Sequence, residues 1–337
     1  MFLTIVPGIG AATGFKATLA EMLPLPKLLL QPLALDWLAR TDVRVAVLRL
    51  DLTDSELSGN KWCKLSGHLR RAIGTGCQQL ISVGGPHSNH LHALAAAGKR
   101  FGLQTIGLLR GHAQETPTVR DLLKNGMQLH WLGYAGYRDR YQPGFWPSWL
   151  QRYPGSYPVP EGGGGLTGAM GCAPLVKHLA SLLSGVGWHD YDGWWLAAGT
   201  GSTLAGLVIG ERGCHPVFGA LAGPASHRID QQVDRLLAEA GQPANPGSYQ
   251  LYDACRAGFG RFDDPLLQFM TQTEQASGIP LEPVYTAKAL LALRHQVEHG
   301  RFAPGSRLVF VHTGGLQGRR TLQCVAGGIA GSSSLHP

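Results

Sequence analysis

Ser58-Gly59-Asn60-Lys61-Trp62-Cys63-Lys64 sets a lysine behind a Gly-Asn turn, at the mouth of a segment in which Leu65, Leu69 and Ile73 recur at helical spacing. A lysine so placed can be held rather than left in solvent. Gly84-Gly85-Pro86-His87-Ser88-Asn89-His90 follows the apolar run Leu80–Val83 and precedes Leu91, Ala93 and Leu94, which reads as strand, glycine turn and helix start. Ser88 or Asn89 stands where an N-cap belongs. A held amine beside helix-start N–H donors suits a carbonyl cofactor and an anionic substrate.

Working outward, residues 65–133 alternate helical and short apolar segments: 65–74, 79–83, 91–101, 105–109, 119–127 and 129–132. That rhythm predicts a parallel sheet covered on both faces. Upstream, Leu28–Trp37 is the first expected core and 43–50 a strand; residues 1–25, rich in Gly, Ala and Pro, read as a loose leader. Tyr134–Pro160, with its aromatics, prolines and arginines, breaks the rhythm, and within it Tyr137-Arg138-Asp139-Arg140-Tyr141 reads as a surface excursion. A second α/β set begins at Leu166, with strands at 194–198, 216–221 and 308–312 and helices at 202–210, 229–240, 265–276 and 286–299. The serine tail after Gly331 reads as frayed.

The 337 residues are enough for about two domains, and 44% hydrophobic with 15% charged residues fits a globular chain. The formal charge of +7 is scattered, with only Arg70-Arg71 and Arg319-Arg320 adjacent. That argues against a nucleic-acid partner and for a mild attraction toward small acids. Six cysteines without a Cys-x-x-Cys pair read as reduced thiols in a cytoplasmic protein. No stretch reaches membrane-spanning length, so no membrane partner is expected. His87, His90 and His92 lack an i, i+4 pair with an acidic or cysteine partner, so no metal site is expected.

Gly199-Thr200-Gly201-Ser202-Thr203 follows a strand and opens a helix, an arrangement that can ring a phosphate. Leu204 replaces the third glycine of a dinucleotide fingerprint, which makes a single-phosphate cup the better reading. Taken with Ser-Gly-Asn-Lys61, Gly-Gly-x-x-Ser88-Asn89-His90, Pro283-Val-Tyr285 and His312-Thr-Gly-Gly315, this turn resembles the D-cysteine desulfhydrase and 1-aminocyclopropane-1-carboxylate (ACC) deaminase family. The resemblance runs from about Leu29 to Gly315. It implies an α/β fold of two domains with open, mostly parallel twisted sheets, the tryptophan synthase β-like fold type II of pyridoxal 5'-phosphate (PLP) enzymes. The large domain would comprise 1–64 and 166–337, with a small domain at 65–165 inserted in it and the cofactor between them.

By the same resemblance Lys61 is the Schiff-base lysine, a role that needs the neutral amine burial favours. Lys64 is either the phosphate-side lysine or an exposed helix residue. Asn89 would bond the ring phenolate, while Ser88, Asn89 and His90 would take the substrate. Tyr285 would act as acid, base or orienter on the substrate side. The family's second tyrosine corresponds to Phe259, which cannot transfer a proton. Where ACC deaminases have Glu after Val-Tyr and Leu after the last His, this chain has Thr286 and Thr313. A glutamate there holds the pyridine nitrogen protonated for the deep electron sink that ring opening demands. Threonine offers a neutral hydrogen bond, enough when a good leaving group departs. The expected reaction is therefore β-elimination of a small amino acid, with D-cysteine giving pyruvate, ammonia and sulfide. ACC deamination, another PLP-dependent dehydratase or racemase, and a non-catalytic PLP- or amino-acid-binding protein are the alternatives. A homodimer is the family expectation.

Overall fold

The computed structural model describes residues 27–57, 59–242 and 247–320. The expected leader, Ser58, Cys324 and the serine tail lie outside them. Ten strands follow in chain order: β1 (Leu30–Leu33), β2 (Arg44–Arg49), β3 (Gln79–Gly84), β4 (Gln104–Leu109), β5 (Gln128–Trp131), β6 (Ser156–Val159), β7 (Gly193–Ala198), β8 (Val217–Leu221), β9 (Tyr249–Asp253) and β10 (Arg307–His312). They form a six-stranded sheet, β1-β2-β10-β7-β8-β9, and a four-stranded sheet, β5-β4-β3-β6. Every pairing is parallel except the edge pair β1–β2. The apolar runs of β7 and β10 are central and buried throughout their middle residues, as a sheet covered on both faces requires.

Seven helices shape the cleft and its surroundings: α1 (Asn60–Gly74), α2 (Asn89–Phe101), α3 (Gly133–Arg138), α4 (Phe145–Arg152), α5 (Gly165–Cys172), α6 (Ser202–Glu211) and α7 (Thr286–Glu298). Helix α1 starts five residues before the expected Leu65. Its first turn divides its work, Asn60 and Lys61 serving the cleft while Trp62 packs into the small sheet's core and Cys63 into the large one's, so no single apolar face marks it. The helix also runs through the boundary expected between residues 64 and 65, joining the lysine turn to the small sheet without a break.

Three strands escaped the sequence reading for one physical reason. β1, read only as part of the first core, β6 and β9 are edge strands, and an edge strand need not present a continuous apolar run. β6 even carries Pro158 opposite Ile81, tolerable only where one flank needs no ladder donor. The expected surface excursion 137–141 is one only in part: Arg138, Asp139 and Tyr141 are exposed, but Tyr137 is buried and the segment around it is packed. Tyr137 and Phe145 pack with Ile81, Val83, Ile106 and Leu108, so α3 and α4 cover one face of the small sheet. Its arginines lie over rings, Arg140 at 4.1 Å from the Tyr137 centroid and 4.0 Å from that of Tyr141, which disguised a packed layer as a polar loop.

Helix α5 lies between α1 and α6 and touches both backbone to backbone. A methyl on Gly171 would fall 2.2 Å from Cys63 O, and one on Gly206 would fall 2.3 Å from Ala169 O and 2.7 Å from Cys172 Cβ. Gly206→Ala is therefore expected to force α5 from α6 and cost about 1–3 kcal/mol, read as a lower urea midpoint. Gly74→Ala, with open space around the new methyl, should leave the midpoint unchanged or raise it.

Candidate active site

The parallel strands of both sheets deliver their carboxyl ends to one cleft, the place where open α/β sheets bind ligands. The turn 312–315 leaves β10, the turn 199–203 leaves β7, and 84–88 leaves β3. Gly59 admits α1 to this junction. It sits at φ +73°, and a methyl there would fall 2.1 Å from Thr313 O. Asn60 N donates to the same carbonyl at 3.1 Å. The Asn60 side chain then donates from Nδ2 to Thr203 Oγ1 at 2.9 Å and accepts from Lys61 Nζ at 2.9 Å. One asparagine thus ties the lysine to both turns.

Lys61 is surrounded by protein at the cleft. Burial, with the nearby Lys64 charge second, pulls its amine down from 10.5 to about 7, against the opposing pull of Glu282. Lys64 is buried rather than exposed on the helix face, with Nζ 3.3 Å from Thr200 Oγ1 and 3.4 Å from Gly162 O. Helix α6 begins at Gly201, in a left-handed conformation, with no side chain capping its first N–H groups. Those unsatisfied donors, the Thr200 and Ser202 hydroxyls 3.4 Å apart, and the Lys64 ammonium form a cup for a phosphate. The donor set fits PLP: an amine able to be neutral at the start of α1 and an anion cup one helical turn further along it.

Ser88 caps α2, its Oγ accepting from Leu91 N at 3.1 Å, which leaves the hydroxyl proton free to donate. Asn89 Oδ1 accepts from Gln317 Nε2 at 2.9 Å, and a methyl on Gly315 would fall 2.6 Å from Asn89 Nδ2. This side chain therefore borders the 312–315 turn. The Tyr285 ring lies against the phosphate turn, its Cε1 3.1 Å from where a Gly199 methyl would stand, and Phe259 meets it edge-on at 5.9 Å. Burial, then the neighbouring Glu282, pushes the Tyr285 phenol far up, so it remains a protonated donor. His312 Nε2 lies 2.7 Å from Pro280 O while Nδ1 accepts from Gly314 N at 3.2 Å, a neutral tautomer consistent with its lowered proton affinity.

Two sequence readings need correction. His90 does not border the substrate side with Ser88 and Asn89. Its ring is 2% exposed and turns into the small sheet, Nε2 lying 2.8 Å from Ser82 Oγ, because one helical step from Asn89 swings a side chain by about 100°. Thr286 cannot serve the cofactor nitrogen. Its hydroxyl accepts from Glu282 N at 2.8 Å and donates to Glu282 O at 3.2 Å, and the residue is fully buried. Thr313, whose hydroxyl has no partner among the described residues, is left as the hydroxyl beside the glycine turn. The sequence reading also missed Glu282, a buried acid next to this site, and Gln317. The signal for Glu282 was an acid three residues ahead of Tyr285, itself the residue preceding α7. Among the described residues no cluster of three or more His, Cys, Asp or Glu side chains could hold a metal, and no helix is long and apolar enough to cross a membrane.

The two-sheet architecture and this cleft are those of fold type II PLP enzymes. No family model matches the chain. A putative ACC deaminase of Pyrococcus horikoshii is 30% identical over 296 residues, 81% of this chain and 85% of the relative. A D-cysteine desulfhydrase of Salmonella choleraesuis is 27% identical over 83% of this chain and 88% of its own. The crystal structure of an ACC deaminase homologue superposes with a TM-score of 0.76 at 25% identity, covering 93% of this chain and 98% of that one. The chain belongs to the ACC deaminase and D-cysteine desulfhydrase family.

The lowered proton affinity of Lys61 yields a direct expectation. Without cofactor, its acylation by an amine-reactive reagent should rise with pH to a midpoint near 7. Exposed lysines should follow the ordinary ammonium value of about 10.4. Competitive labelling read by mass spectrometry separates the two.

Proposed function

We propose that the chain catalyses PLP-dependent β-elimination of small amino acids, with D-cysteine giving pyruvate, ammonia and sulfide. The observation that carries this reading is the contact of Lys64 Nζ with Thr200 Oγ1 at 3.3 Å. It brings the anion cup within one helical turn of the Lys61 amine. The name of one relative, D-cysteine desulfhydrase, supports the same choice of chemistry.

Bound PLP supplies an aldehyde for the substrate amine and a sink for the electron pair left at Cα. The residues do the rest. Lys64, the Thr200 and Ser202 hydroxyls and the first N–H groups of α6 would hold the phosphate, and Asn89 Nδ2 would donate to the ring's phenolate oxygen. Ser88 and the N–H groups at the start of α2 hold the substrate carboxylate. Lys61, whose amine is brought down to about 7 and is therefore part neutral at neutral pH, takes the Cα proton, with Ser88 as the other candidate for that proton and Tyr285 as the protonated donor toward the leaving group. As the Cα–H bond and the Cβ–S bond break, the sulfur leaves with its electron pair and is protonated. The released aminoacrylate is hydrolysed by water to pyruvate and ammonia.

ACC deamination is the second reading, supported by the name of the 30% identical relative. Against it stand Thr286, whose hydroxyl is engaged inside its own turn, and Thr313, a neutral partner at best for the cofactor nitrogen. The reading further includes a homodimer in the cytoplasm, in keeping with the free thiols at Cys63, Cys77, Cys172, Cys214 and Cys255. It also keeps the division into a large domain, 1–64 and 166–337, and a small one, 65–165.

Purified protein is expected to be yellow and to lose its colour on borohydride, with the label on Lys61. Lys61→Ala should lower sulfide and pyruvate release by about 10²-fold or more, and Tyr285→Phe by a similar factor. A panel of β-substituted D- and L-amino acids and ACC decides between the two readings. 2-Oxobutyrate from ACC with no sulfide from any cysteine would select the second; no product from any of them would end both.

A further inference from the structure

Glu282 has no part in the chemistry above, yet it is built into the site with care. The carboxyl is 2% exposed and lies under the start of α7. Oε2 accepts from Val284 N at 2.9 Å, while Oε1 accepts from Tyr285 N at 2.6 Å and from Thr286 N at 2.7 Å. Its own backbone N–H and C=O are held by the Thr286 hydroxyl. Helix α7 has Tyr285 at its N-cap position with no cap from that side chain, so the acid reaches forward to do the capping. A serine or threonine at the cap position would satisfy the first of these donors without placing an acid among apolar neighbours. The costlier arrangement places a carboxylate at the floor of the cleft. A methyl on Gly315 would fall 3.6 Å from Glu282 Cγ and 2.6 Å from Asn89 Nδ2, so acid, glycine turn and asparagine are layered.

The groups around it are few. From α1 comes the Lys61 amine, and from α7 the Tyr285 phenol and the buried Lys288 amine, which donates to Cys255 O at 2.9 Å and to Gly258 O at 2.7 Å. From the flanking segments come Glu274, paired to Arg319 at 2.7 Å and accepting from Leu281 N at 2.6 Å, and neutral His312 on Pro280 O. Glu274 is already matched by its arginine, which leaves Glu282 as the carboxylate that bears on Lys61, alongside the Cys172 thiol at the end of α5. Burial raises its carboxyl to about 7, with the three N–H donors and Lys61 opposing, so it titrates in the same range as Lys61.

We propose that Glu282 is a positioning residue of this site: through the N–H groups of Val284, Tyr285 and Thr286 it fixes the backbone of Tyr285, and so the phenol over Gly199, and its carboxylate is one of the charges that bear on the Lys61 amine. The inference rests on the reading of Lys61 as the cofactor lysine for its catalytic meaning, but not for its test.

In cofactor-free protein, Glu282→Gln is expected to lower the Lys61 labelling midpoint by about half a pH unit, a threefold loss of proton affinity. The sign follows from removing a negative charge beside an ammonium. In the loaded enzyme the same variant should lower kcat about tenfold or more with KM little changed, the pattern of an interaction made in the transition state. Glu282→Asp keeps the charge but shortens the reach, so it should restore the Lys61 midpoint and only part of kcat. A Glu282→Gln protein with a lower melting temperature but an unshifted Lys61 midpoint and normal kcat would reduce Glu282 to a helix cap and overturn the proposal. If Glu282→Gln does not fold, Glu282→Asp decides alone: a normal kcat overturns the proposal, and a loss of kcat at an unchanged Lys61 midpoint upholds it. Absence of a borohydride-reducible link at Lys61 in the wild type would instead refute the cofactor reading, while the cofactor-free labelling still tests Glu282.

Discussion

The structure depends on three helices meeting without side chains between them. Gly171 lets α5 lie against the backbone of α1 at Cys63, and Gly206 lets α6 lie against α5 at Ala169. Gly67 and Gly210 repeat the device at the far ends, where methyls would fall 2.6 Å from Thr167 O and 2.5 Å from Ala173 O. Close-packed interiors do not stretch to absorb an added methyl. The spacing of α1 and α6 is therefore fixed by backbone contact, and with it the spacing of their N-termini. Those termini carry the amine and the anion cup. The site is thus assembled by packing well away from it, and the hydrogen bond from Asn60 to Thr203 closes a gap that the glycines have already set.

That geometry creates an electrostatic problem. Two lysines one helical turn apart share a cleft, where burial lowers both amines and the Lys64 charge lowers Lys61 further. Their partners differ. Lys64 meets a carbonyl, a hydroxyl and the open N-terminus of α6, surroundings that an anion would complete. Lys61 meets a single amide oxygen. A phosphate in the cup would cancel the Lys64 charge and ease the proton affinity of Lys61 upward, linking cofactor binding to the charge on the attacking amine.

The sequence made the centre of this molecule legible and its margins opaque. β7 and β10 are unbroken apolar runs because both faces are covered, and the glycine turns that follow them were visible as punctuation. β6 and β9 were not, since an edge strand can carry a proline or a polar face at no penalty. The first turn of α1 was hidden because its residues are shared out, Asn60 and Lys61 to the cleft and Trp62 and Cys63 to two different cores, which leaves no one apolar face to read. Glu282 was hidden for a deeper reason: a buried acid is recognisable only through the three N–H groups that converge on it, and convergence is a property of the folded turn.

The same turn bears on which reaction the residues favour. Sequence alone weighed Thr286 and Thr313 together as the two hydroxyls that replace a charged partner for the cofactor nitrogen. Glu282 separates them. By taking the Thr286 hydroxyl into its own backbone ring, it withdraws that group from the cleft and leaves Thr313 on its own. A single neutral hydroxyl stabilises a developing positive charge on a ring nitrogen far less than a carboxylate does. Chemistry that must store an electron pair for long, such as opening a three-membered ring, is disfavoured under that condition. Chemistry that hands the pair on at once to a departing sulfur is not, and on this argument the carbon–sulfur bond is the one these residues are arranged to break.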